Sequence, residues 1–211
     1  MSLIQPPSAL AVKKALSEFK IAADDNQIEQ IREYMKLLLT WNQKVNLTAI
    51  RDPQDILYRH FCESMMAAQV VDMSRSRLAD IGTGGGFPGL ALKILLPEAQ
   101  VILVESSVKK ATFLAEVVRA LGLANVQVLV SRYEELGEEI APVDFACARA
   151  LGEFAAFLDW ARSAKVDAKQ LLLWLGERDV AEVQRVGGWS WKAAVPVPQS
   201  LRRVILVGEK A

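Results

Sequence analysis

The amino-acid sequence predicts an α/β protein whose mainly parallel sheet follows a helical region. Three observations point to this class. Apolar residues recur at helical spacing up to residue 74, short apolar runs then alternate with helical segments, and two strand-like runs close the chain. We therefore expect an N-terminal helical region over 1–74 and a Rossmann-like domain over 75–211, ending in an antiparallel strand pair.

The helical region opens with recognisable helix starts. Ser8 is placed to cap a first helix, and Asp52, followed by Pro53, is typical of the start of a third. Between them, a second helix is marked by residues three and four apart: Ile28, Ile31, Met35, Leu38 and Asn42. The mixed stretch "WNQKVNLTAI" at 41–50 predicts a loop after this helix.

From residue 75 the pattern changes to strand and helix in alternation. We predict strands at 77–82, 100–105, 125–130, 143–148, 169–175 and 202–208, with helices at 88–96, 107–121, 152–163 and 177–186. The run "VILV" at 101–104 is apolar on both faces, as expected for a strand covered on both sides. Near the end, "WSWKAAVPV" and "RRVILVG" are separated only by "PQSL", which favours an antiparallel pair.

Composition narrows the class of protein. Of 211 residues, 52% are hydrophobic and 24% charged, as in ordinary globular proteins. Because 25 basic and 25 acidic residues balance, any RNA partner must be bound by a local patch.

Cysteine usage and hydropathy suggest a location for the protein. Cys62 and Cys147 form no metal-ligand pattern, so we expect two buried thiols in a reducing compartment and no bound metal. No apolar run approaches the about 20 residues of a membrane helix, and the first residues lack a signal-peptide pattern. A cytoplasmic, membrane-free protein is expected.

The stretch "DIGTGGGFPG" at 80–89 carries the clearest chemical signal. It forms the first strand-to-helix turn, where ligands bind in sheets of this kind, and its bare backbone allows close approach of a ligand. Glu105 ends the second strand, where a carboxylate can accept hydrogen bonds from ribose hydroxyls. The candidate ligand contacts of the turn are Asp80, Gly82, Thr83, Gly84 and Gly86.

Three interpretations of the turn remain open. The dinucleotide pattern G-x-G-x-x-G fails when counted from Gly82 and fits only from Gly84, which leaves Asp80 unexplained. The D-x-G-x-G-x-G turn of class I methyltransferases fits Asp80 and the alternating glycines, and an acid there suits the aminoacyl group of S-adenosyl-L-methionine better than a pyrophosphate. Alternatively, the glycines serve only close packing of the helix.

Four motifs extend this pattern along the chain. They are "WNQKVNLTAIRDPQDILYRHFCES", "DIGTGGGFPG", "SRYEEL" and "ARAL", in that order. With these motifs the sequence resembles the bacterial 16S ribosomal RNA guanine-N7 methyltransferases, the glucose-inhibited division protein B family, over nearly its whole length. The resemblance implies S-adenosyl-L-methionine as cofactor and 16S rRNA or the small ribosomal subunit as partner. We also expect a monomer.

The resemblance also implies site residues. Gly82 and Phe87 would contact the cofactor, Tyr133 and Glu134 would flank its adenine, and Arg149 would lie beside the methyl group and the substrate as the catalytic residue. On the RNA side it implies Lys109 and Arg132, and we add Asn46 and His60, in and near "NLT", as substrate-side candidates. Two positions depart from the family: Leu175 stands where lysine is usual, and Glu63 where aspartate is usual.

The remaining residues offer little acid–base chemistry. His60 is the one histidine, either a packing residue or a substrate-side hydrogen-bond partner near "NLT". Cys147 resembles a strand core residue more than the nucleophile of a pyrimidine methyltransferase. This agrees with guanine N7, whose free lone pair requires no base. Methylation of another RNA or small molecule, and a cofactor-binding module without turnover, remain alternatives.

Overall fold

The computed structural model describes residues 5–137, 140, 142–149, 152 and 154–211. Its N-terminal region consists of α1 (Ala9–Glu18), α2 (Asp25–Trp41) and a segmented helix. That helix runs through α3 (Pro53–Ile56), a π-helical turn (Leu57–Cys62), α4 (Glu63–Met65) and a 3₁₀ turn (Met66–Gln69). Both predicted caps are confirmed, because the side chains of Ser8 and Asp52 accept backbone N–H groups of the first helical turn.

The predicted loop before α3 is confirmed and has its own internal support. Asn42, just after α2, is only 6% exposed. Its Oδ1 accepts the N–H groups of Leu47 and Thr48, and its Nδ2 donates to the Thr48 carbonyl at 3.0 Å. One buried amide thus fixes the loop against the helix that precedes it.

The α/β part follows the predicted alternation. Its strands are β1 (Arg77–Ile81), β2 (Gln100–Glu105), β3 (Val126–Val130), β4 (Phe145–Arg149), β5 (Gln170–Gly176), β6 (Trp189–Trp191), β7 (Val195–Pro196) and β8 (Arg203–Lys210). Its helices are α5 (Gly89–Leu95), α6 (Val108–Ala120), α7 (Phe154–Arg162) and α8 (Val180–Gln184), with 3₁₀ turns at Tyr133–Glu135 and Glu177–Asp179. The last two residues of "ARAL" lie outside the described residues, and so does part of the predicted start of α7.

The sheet order is β3-β2-β1-β4-β5-β8-β6, with β7 also paired to β8. The strands from β3 to β5 are parallel, and β8 is antiparallel to β5, β6 and β7. The expected antiparallel close is therefore confirmed, with "WSWKAAVPV" split into two short strands. Strand order reverses between β1 and β4, and this switch point is where doubly wound sheets bind ligands.

Two hydrophobic layers cover the sheet. The N-terminal helices, α5 and α6 pack with residues such as Leu78 and Cys147, whereas α7 and α8 pack with Ala79 and Ala148 on the opposite face. Because side chains alternate along a strand, Asp80, Glu105 and Arg149 project toward the face of the N-terminal helices. These helices share one core with the sheet, and the division at residue 74 stays a prediction.

Candidate active site

Asp80 lies at the centre of the glycine-rich turn and is fully buried. Its Oδ2 accepts the Thr83 hydroxyl at 2.6 Å and the Gly89 N–H at 2.7 Å. It therefore ties the start of the turn to the first residue of α5. The Asp80 carboxylate also leaves no space for a side chain at Gly89, where a Cβ would lie 2.8 Å from it.

The environment of Asp80 is unusual for a carboxylate. Burial raises its pKa from the usual 3.8 to about 7, although the bonds from Thr83 and Gly89 act in the opposite direction. Its second oxygen, Oδ1, is buried with no hydrogen-bond partner in the described part of the protein. Because buried polar atoms are nearly always paired, this oxygen is suited to a donor that the protein does not supply.

Glu105, at the end of β2, is 6% exposed and holds the other side of the turn. Its Oε2 accepts the Gly84 N–H at 3.0 Å, and its Oε1 accepts the Ser107 N–H at 2.9 Å. Each oxygen has a second lone pair for a ligand hydroxyl. The predicted ribose contact by Glu105 stays a prediction, and the structure adds that this carboxylate shapes the turn.

A cleft of about 250 Å³ opens beside the turn. It is bounded by the ends of β1 and β2 and by the segment after β3, through Ile81, Gly82, Val104, Ser106, Ser131, Arg132, Tyr133 and Glu134. Gly82 is exposed at φ +66°, and nothing lies within 4 Å of the position that a Cβ would take. Tyr133 packs edge-on against Phe157 and Trp160, which fixes its ring at the cleft wall. The cleft thus combines apolar walls with bare backbone.

Gly86 is required for packing against the N-terminal region rather than for an open cleft. It is buried at φ +91°, and a Cβ there would overlap the Tyr34 hydroxyl and lie 2.8 Å from Leu90 Cδ1. Tyr34 comes from α2 and donates its hydroxyl to the Gly85 carbonyl. The close approach of a helix from the N-terminal region is a sufficient reason for this glycine. A cofactor contact by Gly86 stays a prediction.

Phe87 is 7% exposed and is stacked between two aromatic rings of the N-terminal region. The Tyr34 ring lies parallel to it with centroids 5.3 Å apart, and the His60 ring lies on it at 4.8 Å. This three-ring stack joins the turn to α2 and to the π-helical turn. The predicted cofactor contact by Phe87 therefore concerns a side chain that is already enclosed, and it also stays a prediction.

His60 is kept neutral by its surroundings. Burial, followed by the charges of Arg149 and Arg59, lowers its pKa to about 3. Its Nε2 lies 2.7 Å from the Thr48 hydroxyl, whereas Nδ1 is buried without a partner in the described part of the protein. His60 thus packs on Phe87 and contacts the threonine of "NLT", and its expected hydrogen bond to a substrate stays a prediction.

Arg149 ends β4 and reaches across to the N-terminal region. Its Nη2 donates to the Arg59 carbonyl at 2.5 Å, its Nη1 lies 3.5 Å from the Ser64 hydroxyl, and Nη2 is 3.8 Å from Glu63 Oε2. Its side chain is 18% exposed. Burial lowers its pKa, yet an arginine remains charged. A fixed cation therefore stands at the switch point.

Glu63 was noted in the sequence only as a departure from aspartate, yet it holds this part of the site together. It is 2% exposed and receives Arg203 through Nε at 3.0 and 3.1 Å and through Nη2 at 2.6 Å. The backbone carbonyl of Glu63 also accepts the Trp174 ring N–H at 2.8 Å. These bonds join the N-terminal region to β5 and β8.

The remaining candidates, three for RNA contact and Glu134 for the cofactor's adenine, lie on the surface. Asn46, Lys109, Arg132 and Glu134 are exposed, and Lys109 and Arg132 extend from the segments that follow β2 and β3. Leu175 is 6% exposed in the layer with α7 and α8, so it does not replace a surface lysine. The structure brings Asp80, Glu105 and Arg149 to one sheet edge and leaves the predicted basic residues at its rim.

Both cysteines are free and buried, as expected, and burial raises the pKa of each thiol. In the described part of the chain, no group of three or more histidine, cysteine, aspartate or glutamate residues could hold a metal. The same residues include no helix with the length and apolar character needed to span a membrane.

Sequence reasoning missed the contacts of Tyr34, Ser64 and Arg203. Each lies far along the chain from its partner, and no local pattern marks it. The π-helical turn was missed for the same reason. Such turns often occur at functional sites.

Comparison with known proteins agrees with this geometry. The sequence model of the GidB family, described as rRNA small subunit methyltransferase G, matches residues 27–188. The ribosomal RNA small subunit methyltransferase G of Roseiflexus castenholzii is 45% identical over 140 residues, which cover 65% of this chain and 60% of that protein. The enzyme of the same name from Leuconostoc citreum is 34% identical over 210 residues, covering 93% of this chain and 88% of that protein.

Solved structures support the fold. A SAM-dependent methyltransferase from Aquifex aeolicus superposes with a TM-score of 0.62 at 18% identity, over 79% of this chain and 97% of that one. A structure described as a predicted O-methyltransferase from Agrobacterium tumefaciens superposes with a TM-score of 0.57 at 25% identity, over 71% of this chain and 81% of that one. The expected class I S-adenosylmethionine-dependent methyltransferase fold is confirmed. Since the family model spans residues 27–188 and the Leuconostoc citreum relative covers 93% of this chain, the chain belongs to the rRNA small subunit methyltransferase G (GidB) family.

Proposed function

We propose that this protein uses S-adenosyl-L-methionine to methylate a guanine N7 of 16S rRNA in the small ribosomal subunit. The observation that carries the proposal is the meeting of two features at one sheet edge. The glycine-rich turn opens on a cleft, and beside it the π-helical turn of the family's N-terminal segment contacts Arg149. A substrate placed between them would be within reach of both.

The residues present fit this cofactor. The cleft offers bare backbone at Gly82 and a fixed aromatic ring at Tyr133, which suit a nucleoside. Glu105 has lone pairs for ribose hydroxyls, and the unpaired Oδ1 of Asp80 can receive a donor from the aminoacyl end. When bound, the cofactor supplies an electrophilic methyl group.

The protonation chemistry of the site agrees with a nitrogen that already has a free lone pair. Asp80 is fully buried, so it cannot reach an RNA base, and the lowered pKa of His60 makes it a weak base. Arg149 remains charged and is suited to hold a base or a phosphate. The protein's contribution is then alignment, which can supply about 7–11 kcal/mol of a barrier.

The proposal includes an RNA-binding rim formed by Asn46, His60, Lys109 and Arg132, with Glu134 beside the adenine. It also takes the protein to act as a cytoplasmic monomer without a metal. Support for the rim comes from Arg132, which is exposed and lines the cleft, and from Lys109, which is exposed near the start of α6. The overall charge of zero means that such a local group of cations would have to provide the attraction.

The test is to incubate the protein with labelled S-adenosyl-L-methionine and either naked 16S rRNA or assembled small subunits, and to identify the modified nucleoside by mass spectrometry. We expect 7-methylguanosine at one position. Arg149→Ala should slow the single-turnover step about 100-fold through misalignment. Arg119→Ala, an exposed arginine in the last turn of α6, serves as the matched control. Methylation of a base carbon or an exocyclic amine would overturn the proposal.

A further inference from the structure

The guanidinium of Arg149 is held from outside its own domain. Arg149 belongs to β4, but the partners that the described residues give it are Arg59, Glu63 and Ser64, all in the N-terminal segment. Two of the groups that contact Arg149 are uncharged hydrogen-bond acceptors, the Arg59 carbonyl and the Ser64 hydroxyl. Glu63 is the one partner in this set that carries a compensating charge.

That carboxylate is shared between two cations. Arg203, from β8, approaches Glu63 with Nε and Nη2 at 2.6–3.1 Å, and Arg149 Nη2 lies 3.8 Å from Oε2. Glu63 is 2% exposed, so water screens these charges little. A buried carboxylate is tolerated only when it is paired in this way.

The cations around Arg149 repel one another. Burial lowers the pKa of Arg149, and the charges of Arg203 and Arg59 lower it further, whereas Glu63 and, to a smaller extent, Asp80 raise it. Without the negative charge, the Arg149 guanidinium would face two like charges in a buried site. It would then move toward solvent and away from the position set by the Arg59 carbonyl.

We propose that Glu63 is a positioning residue that holds Arg149 in place for methyl transfer, with Arg203 fixing the carboxylate from the opposite side. The proposal rests on the function proposed above. The Arg149 side chain uses Nη1 and Nη2 for its protein contacts, and a guanidinium has five N–H donors, so donors remain for the substrate. Glu63 itself is buried and has no need to touch RNA or cofactor.

A double-mutant cycle between Glu63 and Arg149 tests this role. In the parent, Glu63→Gln should lower the single-turnover rate at saturating RNA and cofactor by about 10–100-fold, as expected for a misplaced group. Glu63→Asp, which keeps the charge, should restore most of that loss. In an Arg149→Met background, neither substitution should lower the rate further, because Glu63 acts through Arg149.

Two measurements separate positioning from simple damage. Calorimetry with S-adenosylhomocysteine should give the same Kd for Glu63→Gln and the parent within threefold, because Glu63 does not line the cofactor cleft. Glu182→Gln, which removes an exposed carboxylate on α8, is the matched control and should keep the parent rate. If Glu63→Gln does not fold, Arg203→Lys takes its place in the cycle: by loosening the Glu63 carboxylate it should lower the rate in the parent but not in the Arg149→Met background.

The outcomes are distinct. Losses that add in the double variant, or a parent-like rate for Glu63→Gln, would overturn the positioning role while leaving the methyltransferase assignment intact. A parent protein that methylates no guanine in small-subunit RNA would instead refute the proposed function, and the positioning role with it.

Discussion

The glycines of the turn should separate into two classes when each is replaced by alanine. Gly82 and Gly86 both have positive φ, at +66° and +91°, so each alanine variant carries backbone strain. At Gly82 the new Cβ meets nothing within 4 Å, whereas at Gly86 it meets the Tyr34 hydroxyl and Leu90. Gly86→Ala should therefore destabilise the fold far more than Gly82→Ala.

The magnitude follows from two costs. The left-handed backbone costs an alanine about 1–2 kcal/mol at either position. Overpacking a filled core adds about 1–3 kcal/mol, and only Gly86 is subject to it. The two variants should thus differ by about 1–3 kcal/mol in the free energy of unfolding, which corresponds to about 2–12 °C in Tm for a chain of this size.

The assay combines urea unfolding with calorimetry. Gly82→Ala should keep most of the parent stability but bind S-adenosylhomocysteine at least tenfold more weakly, because its methyl group enters the cleft. A third variant, Tyr34→Phe, removes the atom that the new Cβ would overlap. The double variant Gly86→Ala/Tyr34→Phe should therefore lose less free energy of unfolding than the two single variants lose in sum. Equal stability of the two alanine variants, or strict additivity with Tyr34→Phe, would refute this account of the turn.

Three further outcomes follow from the charges of the site. Burial raises the pKa of Asp80 from 3.8 to about 7, so protonated Asp80 stabilises the folded state. This contribution to the free energy of unfolding, about 4 kcal/mol, is complete below pH 4 and is lost as the pH rises through 7. In urea unfolding from pH 4 to 8, the free energy of unfolding of Asp80→Asn should not show this decrease. At saturating RNA and cofactor, the single-turnover methylation rate should be nearly flat from pH 6 to 8.5, because His60 stays neutral with a pKa of about 3 and the titration of Asp80 near pH 7 affects cofactor binding rather than the rate of the bound complex; a tenfold rise per pH unit would indicate a general base and a different target atom. Lys109→Ala should weaken RNA binding in filter assays and reduce the slope of log affinity against log salt by about 0.7–0.9, without altering the rate at saturation. An unchanged slope would remove Lys109 from the RNA-binding rim.

The sequence was sufficient for features that local chemistry determines. Strand β2 was predicted at its observed bounds because a run that is apolar on both faces has few alternatives. The caps at Ser8 and Asp52 were predictable because donor and acceptor lie two or three residues apart. The same holds for the glycine-rich turn, since its glycines, its acid and its proline lie within ten consecutive residues.

The contacts that the sequence did not reveal join residues that lie far apart. Glu63 and Arg203 are separated by 140 positions, and Tyr34 and Gly85 by 51. No periodicity links such residues, because their meeting depends on how the N-terminal helices pack on the sheet. The packing role of Gly86 was not foreseen for this reason: a glycine that admits a neighbouring helix and one that admits a ligand look the same in sequence.

The way the helices pack also explains why the family's most specific motif lies outside the generic fold. Asp80, Glu105 and Arg149 occupy alternate positions of three strands, so all three project to the face that the N-terminal helices cover. A sheet alone would leave these charges open to water, where a guanidinium has many conformations. The π-helical turn instead supplies the Arg59 carbonyl and the ring of His60, and the next residues supply Glu63 and Ser64. The motif therefore completes the site that the strands only begin.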